Sequence, residues 1–246
     1  MEQTLYLDIG NSRLKAAAYQ QATWHTIAGI SVTDQDLHEK LKHICKPYHH
    51  ITVASVRRVL QPGKLQEMLG IPVTGITRFD IPADSIRYKS VDTLGIDRYL
   101  ACLGAWNVNR TTTEASSVIV SDAGTACTVD VMDREGVYLG GVIMPGLSMM
   151  IDALGSGADG LFDVSADLPV HWPPDTTEAA LQAGTAGSFL AAWQEHVKRH
   201  LNLYPDASVW ITGGDAPFLE MHASPKSTNH PHLVFEGMRC FLQSMQ

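Results

Sequence analysis

The chain lacks the paired cysteines that staple small exported domains or hold structural zinc. Its four cysteines stand at 45, 102, 127 and 240, and no CxxC pair occurs among them, which excludes a disulfide framework and the usual zinc spacing. No apolar run approaches the ~20 residues that a membrane-spanning helix needs. Positive charge is also scarce: 18 Lys and Arg face 26 Asp and Glu, a formal net charge of −8. That balance gives no electrostatic footprint for nucleic acid. The opening MEQTLYLDIG has neither a basic segment nor an apolar core of the secretory kind. With scattered thiols, this sets the expectation of a soluble cytoplasmic protein with reduced cysteines. GxxxxGK[ST] is missing as well, which excludes a P-loop kinase.

What is present is the composition of a globular protein with a real core, 45% hydrophobic and 18% charged over 246 residues. That length suits one large domain or two ordinary ones. TLYLDIG, RLKAAAYQ and TWHTIAGI read as three strands joined by tight turns. The helix-period stretch DQDLHEKLKHI follows, then the strand HITVASV, the short helix KLQEMLG, the extended IPVTGIT and the helix IDRYLACLGAWNV. NRTTTEASS, residues 109–117, is polar and aperiodic and reads as a connection. Beyond it the order begins again with SSVIVSD, ACTVDVMD and GVYLGGVIMPG. The helical LSMMIDAL, a long helix from Thr177 to about His200, the strand ASVWITGGD and the closing helix HLVFEGMRCFLQSM complete the chain. Two copies of three strands followed by helix, strand and helix make a duplicated α/β protein, divided here into residues 1–112 and 113–246.

Two turns in corresponding places carry chemistry. In DIGNSRLK, residues 8–15, an aspartate ends a buried strand, where it is costly unless paired or coordinating. Gly10 frees the backbone, Asn11 and Ser12 add short polar groups, and Lys15 adds a point charge on the return strand. Alone, this reads first as a β-hairpin with ordinary turn residues. SDAGTACTVD, residues 121–130, repeats the device behind the second copy's first strand, with Asp122, Gly124 and Thr125. Two such turns are what a nucleotide held between two halves requires. ITGGD, residues 211–215, adds a third glycine turn that allows close approach of an adenosine group.

The arrangement resembles the actin, sugar-kinase and heat-shock-chaperone superfamily. Within it the chain is similar to the type III pantothenate kinases, over nearly its whole length. The match runs in order through DIGNSRLK, GIDR (95–98) with Tyr88 seven residues ahead, DAGTA, GGVIMPG (140–146), TEAALQAG (177–184), TGGD and VFEGM. The resemblance implies two duplicated ribonuclease-H-like domains, with mixed sheets flanked by helices. It implies ATP-dependent phosphorylation of pantothenate to 4′-phosphopantothenate, the first step of coenzyme A synthesis. Asp97 would be the general base, and Tyr88, Gly95, Ile96, Asp97, Arg98 and Thr177 would bind the substrate. Asp8, Ile9, Gly10, Asn11, Ser12, Arg13, Leu14, Lys15 and Thr125 would hold ATP with Mg2+. Asp122 would bind a monovalent cation, K+ or NH4+. The family also implies a homodimer, with Thr177 reaching substrate across its interface.

Two departures stand out. Serine occupies position 12, where threonine is commoner, which keeps the hydroxyl. YKSVDTLG, between Tyr88 and GIDR, lacks the family's frequent proline, which leaves open what shapes that loop. A rival reading of another class is a transcription regulator like the family's Bvg accessory factor. A third is a kinase acting on another small polar alcohol. GSGADG, residues 155–160, matches GxGxxG but follows a helical stretch, so the dinucleotide context fails and a flexible loop is expected. His43, Cys45, His49 and His50 are unevenly spaced for zinc, and Phe189 and Trp193 are expected in packing.

Overall fold

The computed structural model describes residues 4–57, 60–112, 116–168 and 171–245. The chain forms two compact units, Met1–Val108 with His232–Gln246, and Asn109–Pro231.

In the first unit, β1 (Thr4–Ile9), β2 (Arg13–Gln20) and β3 (Thr23–Ser31) form an antiparallel meander, and α1 (Leu37–Cys45), β4 (His50–Ser55), α2 (Pro62–Leu69) and β5 (Val73–Ile76) follow. β4 returns parallel to β1, so the five-stranded sheet runs β3-β2-β1-β4-β5. Leu5, Leu7, Ile9, Leu14, Ala16 and Ala18 alternate onto one face. They bury against Leu37, Leu41 and Cys45 of α1 and Leu65 of α2. α3 (Ile96–Thr112) follows three 3-10 turns.

The second unit repeats the pattern. β6 (Val118–Asp122), β7 (Ala126–Met132) and β8 (Tyr138–Pro145) form the meander. α4 (Leu147–Gly157), α5 (Thr177–Gln182) and α6 (Ser188–Leu203) lead to β9 (Ser208–Thr212), α7 (Ala216–His222) and the two-residue β10 (Thr228–Asn229). The sheet order β10-β9-β6-β7-β8 is the first unit's order read from the other edge. The duplicated ribonuclease-H-like architecture expected from sequence is therefore present, with mixed sheets in both units. Ala183–Gly187, a π turn, joins α5 to α6, so the expected long helix is one continuous run. Phe189 and Trp193 are fully buried in this unit's core with Ile119, Val129 and Ile211.

Three details differ from the sequence reading. α8 (Leu233–Ser244), grouped by chain order with the second domain, lies in the first unit. A β-carbon on Gly104 of α3 would meet the Leu233 carbonyl at 2.0 Å, and one on Gly237 would meet the Leu100 carbonyl at 1.9 Å. Two helical glycines thus let α3 and α8 touch backbone to backbone. Trp24 Nε1 and Asn107 Nδ2 donate to the Glu236 carboxylate, and Arg239 pairs with it. Second, the polar connection starts inside α3, because Asn109 is buried, donating to Ser116 and accepting from Ser208. Residues 113–115 of that connection, and hence the expected boundary at 112/113, lie outside the described residues. Third, the first half of GSGADG belongs to α4 rather than a loop. A β-carbon on Gly155 would displace the exposed Asp163 side chain and come within 3.1 Å of the Asp163 backbone nitrogen.

Candidate active site

The first glycine turn joins β1 to β2. Gly10 N–H donates to the Arg13 carbonyl at 3.0 Å, closing the turn. Ile9 pairs with Leu14 and Asp8 with Lys15 across the ladder, so the acid and the cation stand side by side on one face. Ile9 and Leu14 point into the core, while Asn11, Ser12 and Arg13 are exposed at the tip. Asp8 is buried and Lys15 half-buried. A carboxylate in such a place, held at a strand end beside an exposed polar turn, is a fit donor for a hard cation. Among the described residues no group of three or more His, Cys, Asp or Glu side chains could hold a metal alone. That is compatible with magnesium on a nucleotide, which uses one or two carboxylates and the phosphates.

Sequence reasoning missed Arg57. It follows β4, and its Nη1 donates to the Asn11 carbonyl at 2.7 Å. Val56 N–H donates to the Ile9 carbonyl at 3.1 Å, so the loop after β4 grips the turn at two points. The arginine is 46 residues away in sequence and its acceptor is main chain, so no motif announces it.

The second turn joins β6 to β7 and is built more tightly. Ala123 donates its N–H to the Thr212 carbonyl at 2.8 Å and accepts the Asp215 N–H at 2.8 Å. Gly146 N–H donates to the Thr125 carbonyl at 3.0 Å, and Leu147 N–H to Asp215 Oδ2 at 3.3 Å. Burial pushes the Asp215 carboxyl above its ordinary range, opposed by that hydrogen bond. The DAGTA, PG and TGGD segments therefore meet in one cluster inside the second unit. Two of their glycines, Gly146 and Gly213, are required there: a β-carbon on Gly146 would lie 2.0 Å from the Gly124 carbonyl. One on Gly213, whose φ is +96°, would lie 2.4 Å from the Ala123 carbonyl and 2.6 Å from Asp122 Oδ1. The space beside the Asp122 carboxylate is thus kept clear by a glycine, a fit cradle for a small cation. Thr125 is exposed at the tip of the turn, and Asp122 is half-buried. Behind it Cys127 is fully buried, its thiol pushed up to about 12 by burial, and is not a nucleophile.

GIDR lies in the first unit at the start of α3. Leu94 and Ile96 are buried anchors on either side of Gly95. Asp97, half-buried, accepts the Arg98 N–H on Oδ1 at 2.9 Å. A β-carbon at Gly95 would come within 2.4 Å of that oxygen, which explains the glycine. Arg98 is buried, with its guanidinium 5.8 Å from the centre of the Tyr88 ring. The structure thus brings Tyr88, Gly95, Asp97 and Arg98 together. Thr177 is the exposed first residue of α5 in the second unit; its neighbour Thr176 caps that helix, accepting the Ala179 N–H at 3.1 Å.

Comparison with known proteins points to one family. The family model described as type III pantothenate kinase matches residues 4–199. A curated relative named type III pantothenate kinase, from Alkalilimnicola ehrlichii, is 32% identical over 97% of both chains. Another of that name, from Laribacter hongkongensis, is 31% identical over 95% of this chain and 96% of its own. Among solved structures, a chain from Campylobacter jejuni assigned provisionally to the Baf family of transcriptional activators superposes with a TM-score of 0.58. It is 22% identical and covers 98% of this chain and 97% of its own. A glucokinase from an Antarctic psychrotroph superposes at 0.52 with 10% identity, over 99% of both chains. At such identities these two share the fold alone.

Proposed function

The chain belongs to the type III pantothenate kinase family, and from that premise we propose how its residues divide the work. The activity is ATP-dependent phosphorylation of pantothenate to 4′-phosphopantothenate, the first step of coenzyme A synthesis. The observation that carries the assignment of roles is the GIDR group, a half-buried acid at a helix start beside an arginine stacked near an aromatic ring.

Asp97 is the general base. The pantothenate hydroxyl oxygen forms its bond to the γ-phosphorus, the bond to ADP breaks, and the hydroxyl proton passes to an Asp97 carboxylate oxygen. Such transfers depend on positioning and charge neutralisation more than on covalent help, and a carboxylate suits a proton released late. Arg98 and Tyr88, with Gly95 and Ile96 shaping the backbone, hold the substrate, and the guanidinium fork suits its carboxylate. The DIGNSRLK turn, with Asp8, Gly10, Asn11, Ser12 and Lys15, takes triphosphate oxygens and Mg2+, and Thr125 takes phosphate from the second turn. Magnesium, when bound, neutralises charge on the phosphates. Asp122 holds K+ or NH4+. We also place a homodimer contact at the β8–α4 corner. Ile143 is 61% and Met149 43% exposed there, and a helix as apolar as α4 is normally covered.

The test is direct. Purified protein with ATP, magnesium, potassium and pantothenate should yield ADP and 4′-phosphopantothenate, read by mass spectrometry. Asp97→Asn should lose at least ~100-fold in kcat while melting normally. A near-normal rate would remove Asp97 as the base.

A further inference from the structure

Residues 77–95 carry Tyr88 and deliver the chain into Asp97, yet they contain no strand or α-helix. Their regular structure is three single 3-10 turns, Arg78–Asp80, Ala83–Ser85 and Val91–Thr93. A segment of this length samples many conformations unless it is tied down. It is tied at several points. Asp80 Oδ2 accepts from Thr77 N–H at 2.8 Å and from its hydroxyl at 2.7 Å, fixing the first turn. Ser85 is hydrogen-bonded to the Tyr99 hydroxyl of α3. Across the mouth of the loop, Arg78 Nη1 donates to the Asp92 carbonyl, and the first and third turns lie against each other.

We propose that Arg78 is a positioning residue for pantothenate: its clasp on Asp92 holds the Tyr88 loop in the shape that receives the substrate. The proposal rests on the functional reading above for its substrate. The physical case is local. A charged donor makes a stronger bond to a carbonyl than a neutral one, and this single bond joins positions 14 residues apart at the two ends of the loop. Arg78 is only half-buried and belongs to neither hydrophobic core. Its removal therefore frees the loop without opening the fold. A binding site that is formed only part of the time weakens apparent affinity by the fraction competent. Once substrate is bound, Asp97 is unchanged and the chemical step should be too. The clasp also accounts for how YKSVDTLG keeps its shape without a proline.

The experiment uses the full chain with Arg78→Ala and Arg78→Lys. Pantothenate and ATP are varied separately, and the ligand-free proteins are digested with trypsin, scoring cleavage after Arg87 and Lys89. For Arg78→Ala the expected result is a pantothenate KM raised about 5- to 10-fold. Its kcat and ATP KM should stay within about twofold, and its Tm within about 2 °C. Cleavage at Arg87 and Lys89 should accelerate, and Arg78→Lys should recover part of the KM. Unchanged pantothenate KM with unchanged cleavage overturns the proposal. A rise in both KM values with a lowered Tm overturns it too, because that marks general destabilisation. If the wild-type chain does not phosphorylate pantothenate, the functional reading fails, while the cleavage sites still decide whether the clasp exists.

Discussion

Gly213 and Gly214 are adjacent in ITGGD, and the structure assigns them opposite sensitivities. At Gly213 the backbone φ is +96°, a conformation that costs an L-residue on the order of 1–3 kcal/mol. An alanine methyl there would also lie 2.4 Å from the Ala123 carbonyl oxygen and 2.6 Å from its carbon. Both are main-chain atoms already fixed by hydrogen bonds to Thr212 and Asp215, so they cannot swing aside as a side chain would. Overpacking of this kind costs about 1–3 kcal/mol more. Gly213→Ala should therefore destabilise by roughly 3 kcal/mol, which for a chain of this size lowers Tm by about 6–12 °C. At Gly214 no heavy atom lies within 4 Å of the added methyl, and Gly214→Ala should stay within about 0.5 kcal/mol of wild type. Thermal melts followed by circular dichroism, with ATP and without, give both values. If Gly213→Ala melts within about 2 °C of wild type, the packing of the three glycine segments has been read wrongly. If Asp122 holds the proposed potassium ion, the surviving fraction of that variant should also lose potassium stimulation, since the methyl would press on Asp122 Oδ1 at 2.6 Å.

Arg57→Ala should raise the ATP KM about 3- to 10-fold with little change in Tm, because it removes a charge-assisted bond to the first turn but no buried contact; steady-state kinetics with ATP varied checks it. For the Glu236 carboxyl, burial alone raises the pKa, but hydrogen bonds from Arg239, Trp24 and Asn107 outweigh it and hold it below the ordinary 4.5. A depressed acid adds stability above its unfolded pKa and loses it as pH falls through the folded one. Glu236→Gln should therefore be markedly less stable than wild type at pH 7, by about 3–5 kcal/mol for a broken buried pair. The gap should narrow as pH falls below the ordinary 4.5 in urea titrations; a constant gap would count against the assignment. Ile143→Asp with Met149→Asp should convert a dimer to monomers in sedimentation velocity, and an intact dimer would place the interface elsewhere.

Much of the fold was legible because its signals are local. Strand runs such as TLYLDI and SVIVSD, and the glycine turns after them, repeat in the same order, and the sheets repeat with them. The elements that escaped lack such signals. α7 is seven residues long with a proline in its first turn, and β10 has two residues. The placement of α8 depends on Gly104 and Gly237 meeting backbone across 133 positions of chain, which no periodicity encodes. Among the candidate site residues, Asp97 is singled out by its motif and Asp8 and Asp122 by their turns. Arg57 and Arg78 could not, because each acts on a main-chain carbonyl distant in sequence.

The two glycine turns are held in place by different means. In each unit the strand lying parallel to the first one continues into a loop that grips the turn. After β4 the grip is Val56 N–H on Ile9 and the Arg57 side chain on Asn11. After β9 it is main chain alone, Ala123 donating to Thr212 and accepting from Asp215, with Gly213 and Gly146 packed to contact. A turn held by an exposed side chain can be loosened without unfolding its unit, since a β-carbon at Gly10 would meet nothing closer than 3.3 Å. A turn held by interlocked backbone cannot. Substitutions around the first turn should therefore appear in KM for the nucleotide, and those around the second in Tm before any rate is measurable. A glycine-to-alanine series at positions 10, 124, 146 and 213 separates the two behaviours. Gly10→Ala, whose nearest would-be contact is 3.3 Å, should fold and bind ATP less well; Gly124→Ala, with nothing closer than 3.7 Å, should melt near wild type, whereas Gly146→Ala and Gly213→Ala should melt several degrees lower.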